Sequence, residues 1–77
     1  MQQVHKLIYD SKTKRWNAYD GKNYCDSLYQ GDEICIRVEN QFFPATIELD
    51  TQWYVSIDGI RFRLHPKQVY DAILIPF

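Results

Sequence analysis

Few residues of this 77-residue chain have side chains suited to metal ligation or nucleophilic attack. The two histidines, His5 and His65, have no second ligand at a spacing typical of zinc sites. Cys25 and Cys35 lack C-x-x-C spacing and are too few for a disulfide scaffold, which favours free thiols in a reducing compartment. We therefore predict no metal site and no cofactor.

The serine, aspartate and glycine residues do not indicate an active site either. Most aspartates stand beside Gly, Ser or Thr at predicted turns, where a carboxylate accepts hydrogen bonds from nearby backbone amides. A nucleophile and base would have to be Ser27 or Ser56 with His65, and nothing else in the sequence supports either pair. Three glycines are too few for a phosphate-binding loop. We predict that the chain has no catalytic residues and is not an enzyme.

Two arginines alternate with apolar residues near the C-terminal third of the chain. Arg61 and Arg63 are predicted to share a sheet face with Tyr54 and Ser56, across a turn at Asp58-Gly59. A guanidinium group beside a tyrosine ring can bind phosphate and can stack on bases or peptide groups. This arrangement predicts a binding surface that suits nucleic acid.

A second group of basic residues and the overall charge also bear on the prediction of nucleic-acid binding. Lys14 and Arg15, together with Lys12, lie at a predicted hairpin turn. The nine Lys and Arg residues are balanced by ten Asp and Glu, and a net charge of −1 counts against a general nucleic-acid binder. The two basic faces also fit a solvated surface with cross-strand pairs, such as Arg37 with Glu48. Nucleic-acid binding is therefore the alternative function.

Exposed aromatic residues indicate the function that we favour from the sequence. Tyr24, Tyr29 and Phe42 fall in loops or on the outward phase of a predicted strand. Small barrels commonly bind extended peptides in aromatic-lined grooves between loops. The alternative is that these rings fill the core of a small domain. We predict a non-enzymatic module that binds a protein or peptide through these three residues.

The elements that must hold these side chains are clearest between residues 31 and 58. Apolar and polar residues alternate there over three runs, which turn-forming residues separate, and this period predicts three consecutive antiparallel strands. The predicted inward positions are Ile34, Ile36, Val38, Phe43, Ala45, Ile47, Leu49, Trp53, Val55 and Ile57. Because Pro44 cannot donate a ladder hydrogen bond, its strand should be an edge or carry a bulge at that point.

The rest of the chain extends this pattern. The other predicted elements are strands at 4–10, 14–20 and 60–64, a loop at 21–30, a 3₁₀ turn at 65–69 and a closing strand at 70–77. In the strand at 60–64, Ile60, Phe62 and Leu64 are predicted to face inward. In the strand at 4–10 the inward face is ambiguous.

These elements predict an all-β single domain over residues 1–77. We expect a small SH3-like barrel of five to seven short antiparallel strands, with the 3₁₀ turn before the last strand. A five-stranded OB-like barrel is less favoured, since no helix is visible. Neither a secretory signal nor a 20-residue apolar span is found. We therefore expect a soluble cytoplasmic protein that does not contact membranes and is a monomer or weak homodimer.

Several short motifs resemble a known family. They are Leu-Ile-Tyr-Asp at 7–10, Leu-Tyr-Gln-Gly-Asp at 28–32, Ile-Cys-Ile at 34–36, Phe-Pro-Ala-Thr-Ile-Glu at 43–48 and Trp-Tyr-Val at 53–55. Together with Trp16 they are similar to a family of small uncharacterised all-β domains from Gram-positive bacteria and their mobile elements. The resemblance implies a compact β domain with no known activity and no catalytic residues, and a setting on a mobile element.

Overall fold

The computed structural model describes residues 3–75 and contains eight β-strands, with no helix among those residues. The strands are β1 (Val4–Asp10), β2 (Arg15–Asp20), β3 (Asn23–Ser27), β4 (Glu33–Val38), β5 (Gln41–Leu49), β6 (Trp53–Ile57), β7 (Ile60–Arg63) and β8 (Tyr70–Leu74). They form one sheet in the order β3-β2-β1-β8-β4-β5-β6-β7, and every neighbouring pair is antiparallel. The all-β prediction is confirmed.

The sheet has more strands than the predicted five to seven and is open along the described chain. β3 and β7 stand at opposite ends of the strand order and do not pair with each other. The extra strand is β3, in the segment 21–30 that was predicted to be a loop. β3 has no alternating pattern because it is an edge strand with almost no buried residue, and its register on β2 shifts between Ala18 and Tyr19.

The C-terminal strand β8 lies in the middle of the sheet. It pairs with β1 on one side and β4 on the other, as expected for an apolar strand that would otherwise be an exposed edge. The predicted strand extended to residue 77, and its last two residues lie outside the described part of the chain. At 65–69 the structure has a turn in which the amide of Gln68 donates to the carbonyl of His65 (3.0 Å), without a 3₁₀ helix.

One hydrophobic core collects side chains from six of the eight strands. Its buried members are Leu7, Trp16, Ala18, Leu28, Ile34, Ile36, Ala45, Ile47, Trp53, Val55, Ile57, Leu64 and Ala72. The predicted phase of β4, β5 and β6 is confirmed along most of each strand, but Val38 and Leu49, at the strand ends, are exposed. In β1 the structure resolves the ambiguity, since Leu7 is buried and Ile8 is exposed.

The prediction for β7 was wrong in its burial. Ile60 is 61% exposed and Phe62 is 44% exposed, whereas only Leu64, just beyond the strand, is buried. The physical reason is that β7 is the last strand of the described sheet, so only β6 lies beside it as a paired strand. The prediction for Pro44 is confirmed, because β6 pairs with β5 only from Thr46 onward and leaves β5 an edge there.

Across residues 3–75, the structure contains no helix of the length and apolar character needed to span a membrane.

Candidate functional site

The three predicted peptide-binding aromatics are exposed, but they do not form one groove. Tyr24 packs edge-on against Tyr19 with ring centroids 6.0 Å apart. Tyr29 follows β3 on a loop whose Gly31 amide donates to the carbonyl of Ile47, toward the C-terminal end of β5. Phe42 lies near the start of β5. Tyr29 lines two cavities, and neither Tyr24 nor Phe42 lines either of them.

The hairpin of β6 and β7 assembles the arginine and tyrosine residues as the sequence predicted. Asp58 and Gly59 form its two-residue turn with φ values of +51° and +79°, a combination that matches the right-handed twist of paired strands. Arg63 lies opposite Tyr54, and Arg61 lies opposite Ser56. The guanidinium carbon of Arg61 stands 4.6 Å from the centre of the Tyr54 ring, within the range of a cation–π interaction.

The backbone of β7 presents unpaired hydrogen-bonding groups at its outer side. Ile60 flanks the two-residue turn and pairs with Ile57, while the amide of Leu64 donates to the carbonyl of Trp53 (3.0 Å). Since ladder bonds of an antiparallel pair alternate, residues 60, 62 and 64 bond to β6. The amide and carbonyl groups of Arg61 and Arg63 therefore point away from β6. We call these four groups the β7 edge.

The side chains beside the β7 edge separate into two chemical faces. Arg61 and Arg63 occupy one face, and no ion pair involves either of them within residues 3–75. Ile60 and Phe62 occupy the other face. Phe62 also lines a cavity of about 260 Å³ with apolar side chains that include Val55, and Arg37, Glu39 and Arg63 line the same cavity. A strand with free backbone groups, free positive charge and exposed apolar surface is able to bind an extended chain.

The second basic site lies closer to the first than the sequence indicated. The guanidinium carbon of Arg15 stands 4.3 Å from the centre of the Tyr29 ring. These two residues line a cavity of about 470 Å³ with Lys14 and Trp53. Trp53 also lines a neighbouring cavity of about 240 Å³, together with Arg61.

Nothing in the sequence pattern could have placed the two basic sites side by side. Trp53 makes the connection, since its indole Nε1–H donates to the carbonyl of Lys14, a residue 39 positions away in the chain. Sequence periodicity shows which face of a strand a side chain occupies but not which distant turn it meets. The sites are thus separated in the sequence and joined through one tryptophan in the fold.

Arg37 forms an ion pair with a residue other than the one that the sequence predicted. Arg37 binds Asp71 at 3.1 Å rather than Glu48, because β8 lies directly beside β4. Lys6 of β1 binds the other oxygen of the same carboxylate. The hydrogen bond from Lys6, followed by the nearby charges of Lys6 and Arg37, holds the pKa of Asp71 below its ordinary value, although partial burial opposes this.

Two of the aspartates at turns accept hydrogen bonds from nearby backbone amides. Asp32 accepts a hydrogen bond from the amide of Tyr29, and Asp26 accepts one from the amide of Ser27, both at 2.8 Å. This is the turn chemistry expected for aspartate. Cys25 and Cys35 are free thiols. Within residues 3–75, no three His, Cys, Asp or Glu side chains lie close enough together to hold a metal ion.

Comparison with known proteins identifies one family. A family model described as "Domain of unknown function (DUF5348)" matches residues 5–74. No curated protein and no solved structure matches the chain.

Proposed function

We propose, for a chain that belongs to the DUF5348 family of unknown function, that it is a non-enzymatic module that binds a protein or peptide partner. The observation that carries this proposal is the β7 edge, where the backbone groups of Arg61 and Arg63 have no partner strand among residues 3–75. An extended peptide can add to such an edge, because main-chain hydrogen bonds supply affinity while alternating side chains supply specificity. We therefore propose β7 as the binding surface, in place of Tyr24, Tyr29 and Phe42.

We also propose the fold and the cellular setting that the sequence analysis predicted. We assign the sheet to the SH3-like barrels, supported by its compact extents of 31 × 30 × 26 Å around one core. We also propose a cytoplasmic bacterial protein encoded on a mobile element of a Gram-positive host. The support for this setting is the resemblance of its sequence motifs.

The experiment is a selection from a random displayed library of 12-residue peptides, made on the wild-type protein. Binders are then tested on Arg61→Pro, which removes one amide donor of the β7 edge without removing a ladder bond to β6. Arg61→Ala is the matched control, since it removes the side chain and keeps the amide. We expect Arg61→Pro to lose binding by much more than Arg61→Ala does. Equal binding to all three proteins would contradict strand addition at β7.

A second candidate function is binding of single-stranded nucleic acid. The observation that favours it is the pair of arginine–tyrosine stacks, Arg15 on Tyr29 and Arg61 on Tyr54, in two cavities that share Trp53. Guanidinium and aromatic planes are the groups on which unpaired bases stack.

A salt titration with a fluorescent oligonucleotide tests this second candidate. With about four phosphates neutralised, the logarithm of the association constant should fall with the logarithm of salt concentration at a slope of roughly −3. The double variant Lys14→Ala, Arg15→Ala should reduce that slope and leave the β7 edge unchanged. If no oligonucleotide binds at low salt, this candidate is excluded.

A further inference from the structure

The proposed strand addition at β7 leads to a narrower inference about the chemistry of the partner. We infer that the β7 edge selects a strand in which acidic and apolar residues alternate. This inference rests on the proposed function and adds to it the type of sequence that the edge recognises. The observation that supports this inference is that the two faces of β7 differ in charge.

The arginine face sets the first half of the pattern. Residues of an incoming strand directly opposite Arg61 and Arg63 lie on the same face as these side chains, with Cβ atoms about 5 Å away. Arg61 and Arg63 are exposed and make no ion pair within the described chain. Their neighbours on that face in β6 are Tyr54 and Ser56, and neither is an acidic residue. Carboxylates at two alternate positions of the partner would therefore complete the face.

The opposite face sets the second half. Phe62 pairs with the buried Val55 across the hairpin but remains 44% exposed, and among the described residues no strand pairs with the outer side of β7. Ile60 is 61% exposed on the same face. The partner residue opposite Phe62 would extend this apolar surface toward the cavity that Phe62 and Val55 line. A β-branched apolar residue fits that position best, since it packs well on a pleated surface.

The same geometry disfavours an antiparallel pair of two β7 strands from two copies of the chain. In the register that pairs all of residues 61–63, Phe62 lies opposite Phe62 and Arg61 lies opposite Arg63. Like charges directly opposite each other destabilise a strand pair. The arginines thus disfavour antiparallel self-association through this edge and at the same time favour an acidic strand.

The other end of the sheet does not offer the same combination. β3 is also an edge strand, but its only large exposed apolar side chain is Tyr24, which packs on Tyr19 and hydrogen-bonds to Ser27. The register shift on β2 further distorts that edge. Of the two end strands of the sheet in the described chain, β7 is the one with both charge and apolar surface available.

The test uses three eight-residue synthetic peptides in which valine alternates with glutamate, glutamine or lysine. Each is titrated into the isotope-labelled full chain, and amide chemical shifts report affinity and position. We expect the glutamate peptide to bind roughly tenfold more tightly than the glutamine peptide at low salt, as two exposed ion pairs would allow. The lysine peptide should bind least. The largest shifts should fall on residues 60–64.

The double variant Arg61→Glu, Arg63→Glu provides the decisive control, because it should reverse the order and prefer the lysine peptide. Equal affinity of the glutamate and glutamine peptides would overturn the inference about charge and leave strand addition intact.

If library-selected peptides bind at β7 but none alternates acidic and apolar residues, the inference is likewise overturned. If neither the library nor the three peptides yield a β7 binder, the proposed function itself fails. A dimer in sedimentation experiments that the Arg61→Pro variant abolishes would overturn the inference that the arginines disfavour self-association through β7.

Discussion

The indole Nε1–H of Trp53 donates a hydrogen bond to the backbone carbonyl of Lys14 at 3.1 Å. The two residues are four strands apart in the sheet order, because the turn that contains Lys14 joins β1 to β2 whereas Trp53 begins β6. No ladder connects these elements. The bond therefore fastens one half of the curled sheet to the other, and it places the first basic turn beside the arginine–tyrosine hairpin.

Replacing Trp53 by Phe removes this hydrogen bond and retains an aromatic ring. Because the donor is lost along with part of the ring, we expect a loss of at least about 1 kcal/mol in the free energy of unfolding. Urea unfolding followed by circular dichroism measures the change. The matched control is Tyr54→Phe, since Tyr54 is the next residue on β6 and its hydroxyl makes no side-chain hydrogen bond within residues 3–75. A Trp53→Phe variant as stable as the control would contradict a role for this bond.

Asp71 predicts a pH dependence of stability. Its pKa is lower in the folded protein than in the unfolded chain, so the stabilisation that its carboxylate provides is fully present above the unfolded pKa and is lost as pH falls through the folded pKa. At pH 7 we expect Asp71→Asn to cost on the order of 1 kcal/mol, because one carboxylate serves two partly exposed cations.

The measurement for Asp71 is urea unfolding of wild type and Asp71→Asn from pH 7 down to pH 2. The difference between them should shrink below the ordinary range of carboxylate pKa values. Asp20→Asn is the control, since Asp20 is exposed and makes no ion pair among the described residues. A gap that stays constant across this range would mean that the ion pairs with Lys6 and Arg37 do not stabilise the fold.

Local pattern alone predicted the central part of this fold. The alternation in β4, β5 and β6 identified Ile36, Ile47 and Val55 as core residues, because each strand has one face on the core and one on solvent. The pattern could not reveal β3, whose residues are almost all exposed, nor the central position of β8. Both depend on which strands become neighbours, and that is decided by contacts between residues far apart in sequence.

In the candidate site, too, some features were predictable from the sequence and others were not. The pairing of Tyr54 with Arg63 and of Ser56 with Arg61 follows from the Asp58-Gly59 turn and was predictable. The exposure of Phe62 was not, because its apolar type and phase match those of a buried residue. Only the position of β7 at the end of the sheet distinguishes it. An edge strand with an inward phase and nothing to pack against is the feature that sequence periodicity misses.

Gly59 should control the geometry of the β6–β7 hairpin. Its φ of +79° lies in the region that favours glycine, and a Cβ added there would meet no atom within 4 Å. The cost of Gly59→Ala is therefore backbone strain alone, and we expect a loss of about 1 kcal/mol. Thermal unfolding measures it, with Lys22→Ala at an exposed turn position as the control. No loss would show that the turn readily adopts another conformation.

Phe62 and Val55 lie directly opposite each other across the hairpin on one sheet face, yet Phe62 is 44% exposed and Val55 is 1% exposed. We expect Val55→Ala to lose about 2–3 kcal/mol, because two buried methyl groups are removed and a cavity remains. Phe62→Thr, which keeps a strand-favouring residue, should lose about 1 kcal/mol or less. Urea unfolding of both variants measures the two losses. If Phe62→Thr is as destabilising as Val55→Ala, Phe62 belongs to the core and its face of β7 is not free to receive a partner strand.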